Sequence, residues 1–208
     1  MEENILIELI ETIKANKELM RILDILDENQ FQEYYIGAGA IVQNIWNKAT
    51  EKPINYGVTD IDIIYFDSKD LSEKAEELKA SRIIELFEYE TLKLDIKNEA
   101  RVHLWYKNKF GYDIPPYSSL EEAIDSWPTT ASAIGIRRNS NAWIIYAPFG
   151  VNDIFDLRLV PNNRLITKEI YENKVNKWKK KWPELKSEAW NDNKVPIKYP
   201  EPLSIMIK

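Results

Sequence analysis

Cysteine is absent from this sequence and histidine occurs once, as His103. A chain without cysteine has no disulfide framework and no thiol chemistry. Structural zinc sites use four ligands, mostly cysteine and histidine, so a single histidine effectively excludes one. We expect His103 to be a hydrogen-bonded structural residue, because no second histidine or cysteine supports a role in a site. The alternative is a role in the functional site.

Long apolar runs are also missing. No stretch approaches the about 20 apolar residues that a membrane-spanning helix needs. The N-terminus, Met1-Glu2-Glu3-Asn4, has no basic region ahead of an apolar segment. We therefore expect a soluble, cytoplasmic protein with no membrane partner.

Aromatic residues, by contrast, are plentiful. They make up 12% of the chain, with 7 Trp and 11 Tyr, and hydrophobic residues make up 44%. This composition favours a packed globular protein over a disordered one. At 208 residues the chain is long enough for one substantial core. We expect a single domain over 1–208, with N-terminal helices at 1–29, the functional core at 30–150, and a C-terminal helix and tail at 151–208.

The charge balance is acidic: 28 Lys and Arg stand against 34 Asp and Glu, a formal net charge of −6. This balance disfavours broad, nonspecific binding to nucleic acid. One stretch is locally basic, because Lys168 to Lys181 contains six Lys and two Glu. A solvated helix face explains this stretch, and the alternative is a helix that receives a polyanion.

The hydrophobic pattern predicts a mixture of helices and strands. Helices are predicted within 1–29 (two helices, the second capped by Asn16), after the turn at Gly37, and at 71–88, 99–109 and 167–182. Strands are predicted at 33–37, 60–66 and 91–97, with a hairpin of 133–138 and 142–146 around Asn139-Ser140-Asn141. The segment 47–59 and the tail from Pro183 onward are predicted to be irregular.

The most informative pattern alternates acids with apolar residues, as Asp60-Ile61-Asp62-Ile63. Successive side chains of a strand point to opposite faces, so Asp60 and Asp62 share a face. Asp95 occupies a similar position in the predicted strand 91–97. Neighbouring carboxylates repel each other, and a hard divalent cation with oxygen ligands neutralises them. The pattern favours a metal site at these acids, and the alternative is a surface strand with solvated acids.

Together with Ile36-Gly37-Ala38-Gly39-Ala40, these acids resemble the DNA polymerase β-like nucleotidyltransferase superfamily. Its pattern is a strand that ends in Gly-Gly or Gly-Ser, then Asp-x-Asp/Glu, then a third acid on a later strand. More closely, the chain is similar to an uncharacterised bacterial nucleotidyltransferase family within that superfamily. The stretches that carry this similarity are 37–46, 60–67, 98–106, 127–137 and 147–150. The resemblance covers roughly residues 30–185.

The resemblance implies a fold of the α/β (α+β) class: a short mixed sheet flanked by helices, with a C-terminal helical extension. It also implies Mg²⁺-dependent transfer of a nucleotidyl group from an NTP, with Mn²⁺ as the alternative cation. Asp60 and Asp62 would then hold the metal ions. Asp95 would complete the second metal site and help to take the proton of the acceptor.

The same resemblance implies a phosphate site at the turn formed by Gly37, Ala38, Gly39 and Ala40. Glycine lets the backbone approach phosphate without an intervening Cβ, and the start of a helix offers unpaired N–H groups. Ala40 stands where the superfamily usually has Ser or Gly, so no hydroxyl assists phosphate there. Arg101 and Arg137 are expected to bind the nucleotide through their planar guanidinium groups, and ordinary salt bridges are the alternative.

The motifs are compatible with several classes of acceptor. A protein hydroxyl, a small molecule such as an aminoglycoside-like compound, and RNA all fit, and the acidic charge balance disfavours RNA. A catalytically inactive nucleotide-binding or regulatory module on the same fold is the alternative function. The presence of all three acids favours the enzyme.

Overall fold

The computed structural model of the protein describes residues 2–31, 33–87, 93–140, 142–193, 196 and 203–206. The helices are α1 (Glu2–Lys14), α2 (Lys17–Glu28), α3 (Ala38–Ala49), α4 (Glu73–Ile84), α5 (Val102–Phe110), α6 (Leu120–Asp125), α7 (Asn152–Phe155) and α8 (Lys168–Lys179). The strands are β1 (Tyr34–Gly37), β2 (Asp60–Tyr65), β3 (Lys93–Asn98), β4 (Gly135–Asn139), β5 (Ala142–Tyr146), β6 (Arg158–Leu159), β7 (Lys186–Ser187) and β8 (Leu203–Met206). A 3-10 helix, Glu99–Arg101, connects β3 to α5.

One mixed sheet organises the molecule. Its strands lie in the order β3-β2-β1-β4-β5-β8. Strands β2 and β3 are parallel, and the other neighbouring pairs are antiparallel. A parallel pair needs a crossover connection, and α4 lies in the chain between β2 and β3. Strands β6 and β7 form a separate parallel pair. The predicted mixed sheet with flanking helices is confirmed.

The two faces of the sheet have different surroundings because successive strand residues point to opposite sides. Ile36 of β1 lies beside Ile63 of β2, and both belong to a core shared with α1, α2 and α3. Tyr35 and Ile64 point the other way and pack with Leu120 and other residues of α6. We call this second side the α6 face of the sheet.

Helix α8 joins the first core through tryptophan side chains. The rings of Trp178 and Trp182 lie edge-on to Trp46 of α3, with ring centroids 5.3 and 5.4 Å apart. The indole N–H of Trp182 donates a hydrogen bond to Asn47 Oδ1 at 2.8 Å. The same ring lies against Gly57, whose φ of +77° and lack of Cβ leave room for it. These contacts fix the C-terminal helical extension to the rest of the fold.

The structure shifts the ends of several predicted elements. Asn16 caps α2 as predicted, because its side chain accepts a hydrogen bond from the N–H of Leu19 at 3.1 Å. Helix α3 continues through Ala49, so the segment that was predicted to be irregular from 47 begins at Thr50. Of the strand predicted at 91–97, residues 91 and 92 lie outside the described residues and the rest belongs to β3.

The prediction of an irregular C-terminal tail was wrong. Leu203–Met206 form β8, which pairs antiparallel with β5. A strand with a free edge presents unpaired backbone N–H and C=O groups, and β8 satisfies those of β5. Three prolines shortly before this strand, Pro196, Pro200 and Pro202, masked it in the sequence, because proline is rare within strands.

The predicted helices also start and end at different residues. Helix α4 begins after its N-cap Ser72, and α8 begins after its N-cap Thr167. The helix predicted at 99–109 consists of the 3-10 helix followed by α5. In the described residues, no helix combines the length and the apolar character needed to cross a membrane.

Candidate functional site

The strand register brings the predicted acids and the glycine turn into one row. Asp62 of β2 is the direct neighbour of Asp95 on β3. On the other side of β2, Ile63 pairs with Ile36 of β1, so Gly37, the next residue of β1, comes opposite Asp62. The turn and two of the three acids therefore lie side by side across β1, β2 and β3.

All three acids belong to the α6 face. Asp60 and Asp62 alternate with the buried residues Ile61 and Ile63 of the opposite face, and the register gives Asp95 the same orientation as Asp62. Their side chains are partly buried. Asp60 accepts a hydrogen bond from the hydroxyl of Thr59 at 3.0 Å, and Asp95 forms an ion pair of 3.2 Å with Lys97.

The carboxylates repel each other electrostatically. Burial, followed by the negative charges of Asp60 and Asp95, raises the pKa of Asp62 to about 6. The positive charges of Lys174 and Lys97 act in the opposite direction. A group of carboxylates that is not fully neutralised by nearby lysines is typical of sites that bind a cation.

A fourth carboxyl group, Glu99, lies close to this cluster and was missed in the sequence. It is 7% exposed. Burial is the main cause that raises the pKa of Glu99 to about 8, and the charges of Asp62 and Glu76 add to it. Burial therefore favours the protonated, neutral form of Glu99. The strand period that identified Asp95 does not extend to Glu99, because β3 ends at Asn98 and Glu99 begins the 3-10 helix.

The two glycines of the turn have different surroundings. A Cβ on Gly37 would come within 2.5 Å of the Trp127 ring, so Gly37 makes room for an aromatic side chain. A Cβ on Gly39 would meet Gln43 Nε2 at 3.2 Å and has no other neighbour within 4 Å among the described atoms. The predicted approach of phosphate past a missing Cβ therefore applies to Gly39, while Gly37 has a packing role.

Helix α3 starts at this turn with Ala38. No side chain caps it within the described residues. The N–H of Ala38 donates to the backbone C=O of Ile134 at 3.1 Å. The first four N–H groups of a helix have no partner within the helix. The N–H groups of Gly39 and Ala40 are the next of these, so this end of α3 can accept an anion.

Arg101 has a structural environment. It is 8% exposed, its guanidinium pairs with the carboxylate of Glu76, and its Nε–H donates to the C=O of Leu71 at 3.1 Å. Glu76 also accepts a hydrogen bond of 2.7 Å from the N–H of Asn98. Arg101 thus connects the 3-10 helix to α4 through a salt bridge. This is the alternative to the predicted contact of Arg101 with a nucleotide.

Arg137 lies elsewhere on the α6 face. Its guanidinium carbon is 5.3 Å from the centroid of the Tyr35 ring. Both residues line a cleft of about 230 Å³ together with Glu121 and Phe66. By register Arg137 is two residues along β4 from Gly135, the neighbour of Gly37. Arg137 therefore lies beside the row formed by the acids and Gly37 and is not part of that row.

His103 lies on α5, and its expected structural role stays a prediction. Its Nδ1 atom is buried and has no hydrogen-bond partner among the described residues. The side chain as a whole is partly exposed on α5.

The donor set fits Mg²⁺ chemically. Asp60, Asp62 and Asp95 offer hard oxygen ligands from two adjacent strands, and the raised pKa of Asp62 reflects negative charge that a cation would neutralise. Among the described residues, however, no three His, Asp or Glu side chains are grouped closely enough to form a ready metal cluster. The acids are neighbours in the strand register, but their side chains do not point to one common position in the described structure.

Comparisons with known proteins agree with this geometry. The sequence profile of a family described as nucleotidyltransferase matches residues 24–187. A search of curated proteins gives no match. Among solved structures, the chain is similar to an NMR structure described as a CCA-adding enzyme head domain, with a TM-score of 0.72 and 25% sequence identity. The similarity covers 88% of this chain and 95% of that one.

Proposed function

The chain belongs to a nucleotidyltransferase family, and from this premise we propose that it transfers a nucleoside monophosphate from an NTP to a hydroxyl acceptor with Mg²⁺. One observation carries the proposal. The register that pairs Asp62 with Asp95 also brings Gly37 and the start of α3 beside them. The carboxylates that could bind cations thus lie next to the start of a helix that could bind phosphate.

In the proposed reaction the acceptor oxygen forms a bond to the α-phosphorus of the NTP. The bond from that phosphorus to the bridging oxygen breaks, and its electron pair leaves with pyrophosphate. The acceptor proton passes to Asp95 or to water. Asp95 suits this role because its side chain is 34% exposed and lies directly beside Asp62.

Asp60 and Asp62 would hold Mg²⁺, with Asp95 as the ligand from the adjacent strand, and Mn²⁺ is the alternative cation. When bound, the metal would neutralise charge on the triphosphate and on the leaving pyrophosphate. The N–H groups at Gly39 and Ala40 would orient phosphate oxygens at the start of α3. The cytoplasm, where NTPs and Mg²⁺ are abundant, is the expected location.

The acceptor is proposed to be a small molecule or a protein hydroxyl. The net charge of −6 disfavours broad contact with a polyanion. The similar solved structure is described as a CCA-adding enzyme head domain, so RNA is the acceptor class to test against these two. The alternative function is a module that binds a nucleotide and transfers nothing.

The test is incubation of the protein with each labelled NTP, Mg²⁺ and a cell extract, followed by separation of small molecules, proteins and RNA. We expect a mass increment of one nucleotide in one of the first two fractions. The Asp60→Asn variant should leave every fraction unlabelled, while the matched surface variant Glu77→Gln should label as the native chain does. Label in no fraction, with NTP binding intact, would favour the inactive module.

A further inference from the structure

Trp127 lies directly on the glycine turn of the proposed site. Three atoms of its six-membered ring, Cη2, Cζ3 and Cζ2, lie 2.5, 3.1 and 3.5 Å from the position that a Cβ of Gly37 would occupy. Gly37 shares the α6 face with Tyr35, which precedes it by two residues in β1, and Trp127 packs against the apolar cluster of that face. The edge of an indole ring therefore fills the space that the missing side chain of Gly37 leaves.

The strand register places this ring beside the acids. Gly37 lies opposite Asp62 on the neighbouring strand, and the Cα atoms of such antiparallel partners are about 4.5–5.5 Å apart. The α6 face carries both the carboxylate of Asp62 and the ring of Trp127. Trp127 thus lies one strand away from a proposed metal ligand, next to the turn that is proposed to receive the triphosphate.

The sheet is covered beyond Gly37. The next position of the row is Gly135 of β4. A Cβ on Gly135 would come within 2.8 Å of Ile124 and of Tyr35, so these two side chains close the sheet surface there. A ligand that is held at the acids and at the turn therefore meets the Trp127 ring on this side.

Trp127 is partly exposed, unlike the tryptophans of the first core. Trp46 and Trp182 are fully buried, and their indole N–H groups donate hydrogen bonds inside the protein. The side chain of Trp127 is only partly buried. A partly exposed aromatic ring offers a large apolar surface to a flat partner.

A buried asparagine fixes the backbone that carries this ring. Asn162 is 0% exposed, and its side-chain amide donates to the backbone C=O of Trp127 and of Asp125, both at 2.7 Å. The backbone N–H of Asn162 donates to the C=O of Pro128 at 3.1 Å. The N–H of Trp127 donates to the C=O of Ile124, also at 3.1 Å. The segment is thus held in place by internal hydrogen bonds, which lowers the entropy cost of ordering it around a ligand.

We propose that Trp127 stacks on the base of the NTP. The inference rests on the proposed function and identifies the base subsite within it. The phosphates would lie between the acids and the start of α3, and the ribose would lead from the α-phosphate to the ring on Gly37. Every base has a π face, so this contact stabilises all four NTPs without hydrogen bonds to base edges.

The experiment measures binding, so that it does not depend on the acceptor. Titration calorimetry in the presence of Mg²⁺ compares ATP with ribose 5-triphosphate, which is ATP without its base. The proteins are the native chain, Trp127→Leu, Trp127→Phe and the matched control Trp190→Leu. Trp190 is also partly exposed, and its ring packs against Tyr171 in the core of the opposite face.

We expect Trp127→Leu to weaken ATP binding about five- to a hundredfold, the effect of removing one contact between a base and an aromatic ring. Its affinity for ribose 5-triphosphate should not change. Trp127→Phe keeps an aromatic ring and should retain most of the ATP affinity, while Trp190→Leu should bind both ligands as the native chain does. Thermal melting establishes that each variant is folded.

Tryptophan fluorescence gives a second measurement that does not depend on the folding of Trp127→Leu. ATP at saturation should quench part of the emission of the native chain, because a base would lie on an indole ring, and ribose 5-triphosphate should not. Trp127→Phe should bind ATP and lack this quenching.

Unchanged ATP affinity in folded Trp127→Leu would overturn the proposal, and so would an equal loss of affinity for ribose 5-triphosphate. Equal quenching by ATP in the native chain and in Trp127→Phe would overturn it as well. A chain that binds ATP through Trp127 but labels no acceptor would refute the proposed function and leave the base subsite standing.

Discussion

Among the proposed metal ligands, Asp62 has a pKa that is raised both by burial and by the negative charges of its neighbours. Its pKa of about 6 exceeds the ordinary value of 3.8. The folded chain therefore binds more protons than the unfolded chain between about pH 4 and 6. The free energy of unfolding should fall as the pH rises through this window, and the charged side chain should be unfavourable above it in the absence of a cation.

We predict that Asp62→Asn removes activity and, without metal, raises the free energy of unfolding at pH 8 by about 1–2 kcal/mol, since a tenfold change in proton affinity equals about 1.4 kcal/mol. The gain should vanish below about pH 4, where the native carboxyl is protonated in both states. Denaturant unfolding at pH 4, 6 and 8 measures it, with Glu77→Gln as the surface control. A large loss of stability at pH 8 would mean that Asp62 is a structural partner.

The two glycines of the turn make a second prediction at this scale. Gly37→Ala should lower the free energy of unfolding by about 1–3 kcal/mol, because its Cβ overlaps the Trp127 ring. Gly39→Ala should leave stability unchanged, since only the flexible amide of Gln43 must move. Gly39→Val should then weaken NTP binding in a folded chain. Calorimetric titration with equal NTP affinity in Gly39→Val would remove Gly39 from the site.

Sequence alternation was enough to find Asp60, Asp62 and Asp95, because the period of a strand fixes which residues share a face. The structure aligns these three on one face of β2 and β3, although their side chains do not form a metal cluster within the described residues, and their role as ligands stays a prediction. Glu99 was missed because its burial shows only in the folded chain.

At the scale of elements, local pattern located β1, β2 and the hairpin of β4 and β5, yet it could not supply their pairing. The parallel pairing of β2 with β3 depends on the crossover through α4. The pairing of β5 with β8 joins segments more than 50 residues apart in the chain. Contacts so distant in sequence leave no local periodicity. The site depends on them, because Asp95 adjoins Asp62 only through that parallel register.

The pair of Arg101 and Glu76 holds this crossover in place. Both side chains are nearly buried, with 10% and 11% exposed, and Glu76 also binds the backbone of Asn98 in β3. We predict that Arg101→Met lowers the free energy of unfolding by about 3 kcal/mol, the usual effect of stranding one buried charge. NTP affinity of the folded variant should not change.

A double-mutant cycle with Glu76→Gln checks the mechanism. The double variant should be less destabilised than the sum of the two single variants, because each single variant leaves one buried charge unpaired and the double variant leaves none. If Arg101→Met instead kept its stability and lost NTP affinity, the predicted role of Arg101 in nucleotide binding would be correct.

At the scale of the whole molecule, one hydrophobic core extends from Leu6 of α1 through the sheet to Leu185 beyond α8. We propose on this basis that 1–208 is a single domain, with 1–29 and 151–208 packed as parts of it around the functional core. Binding at the row of acids should therefore stabilise the entire chain. The melting temperature of the chain therefore reports ligand binding at the site.

We predict that Mg²⁺ and an NTP together raise the melting temperature far more than either alone. Carboxylates and triphosphate are both negative, so each ligand needs the other to bind well. At a hundredfold excess over the dissociation constant the gain is about 2.7 kcal/mol, which corresponds to about 5–10 °C for a chain of this size. Asp60→Asn should abolish the synergy and Glu77→Gln should preserve it.

The pattern of shifts separates the alternatives. An equal shift with NTP in the absence of Mg²⁺ would mean that positively charged side chains, such as the lysines of α8, hold the nucleotide without the acids. A shift with Mg²⁺ alone would indicate that the carboxylates converge on a cation before any nucleotide arrives. Absence of a shift with all four NTPs would contradict the nucleotide site, because any ligand that binds only the folded chain must stabilise it.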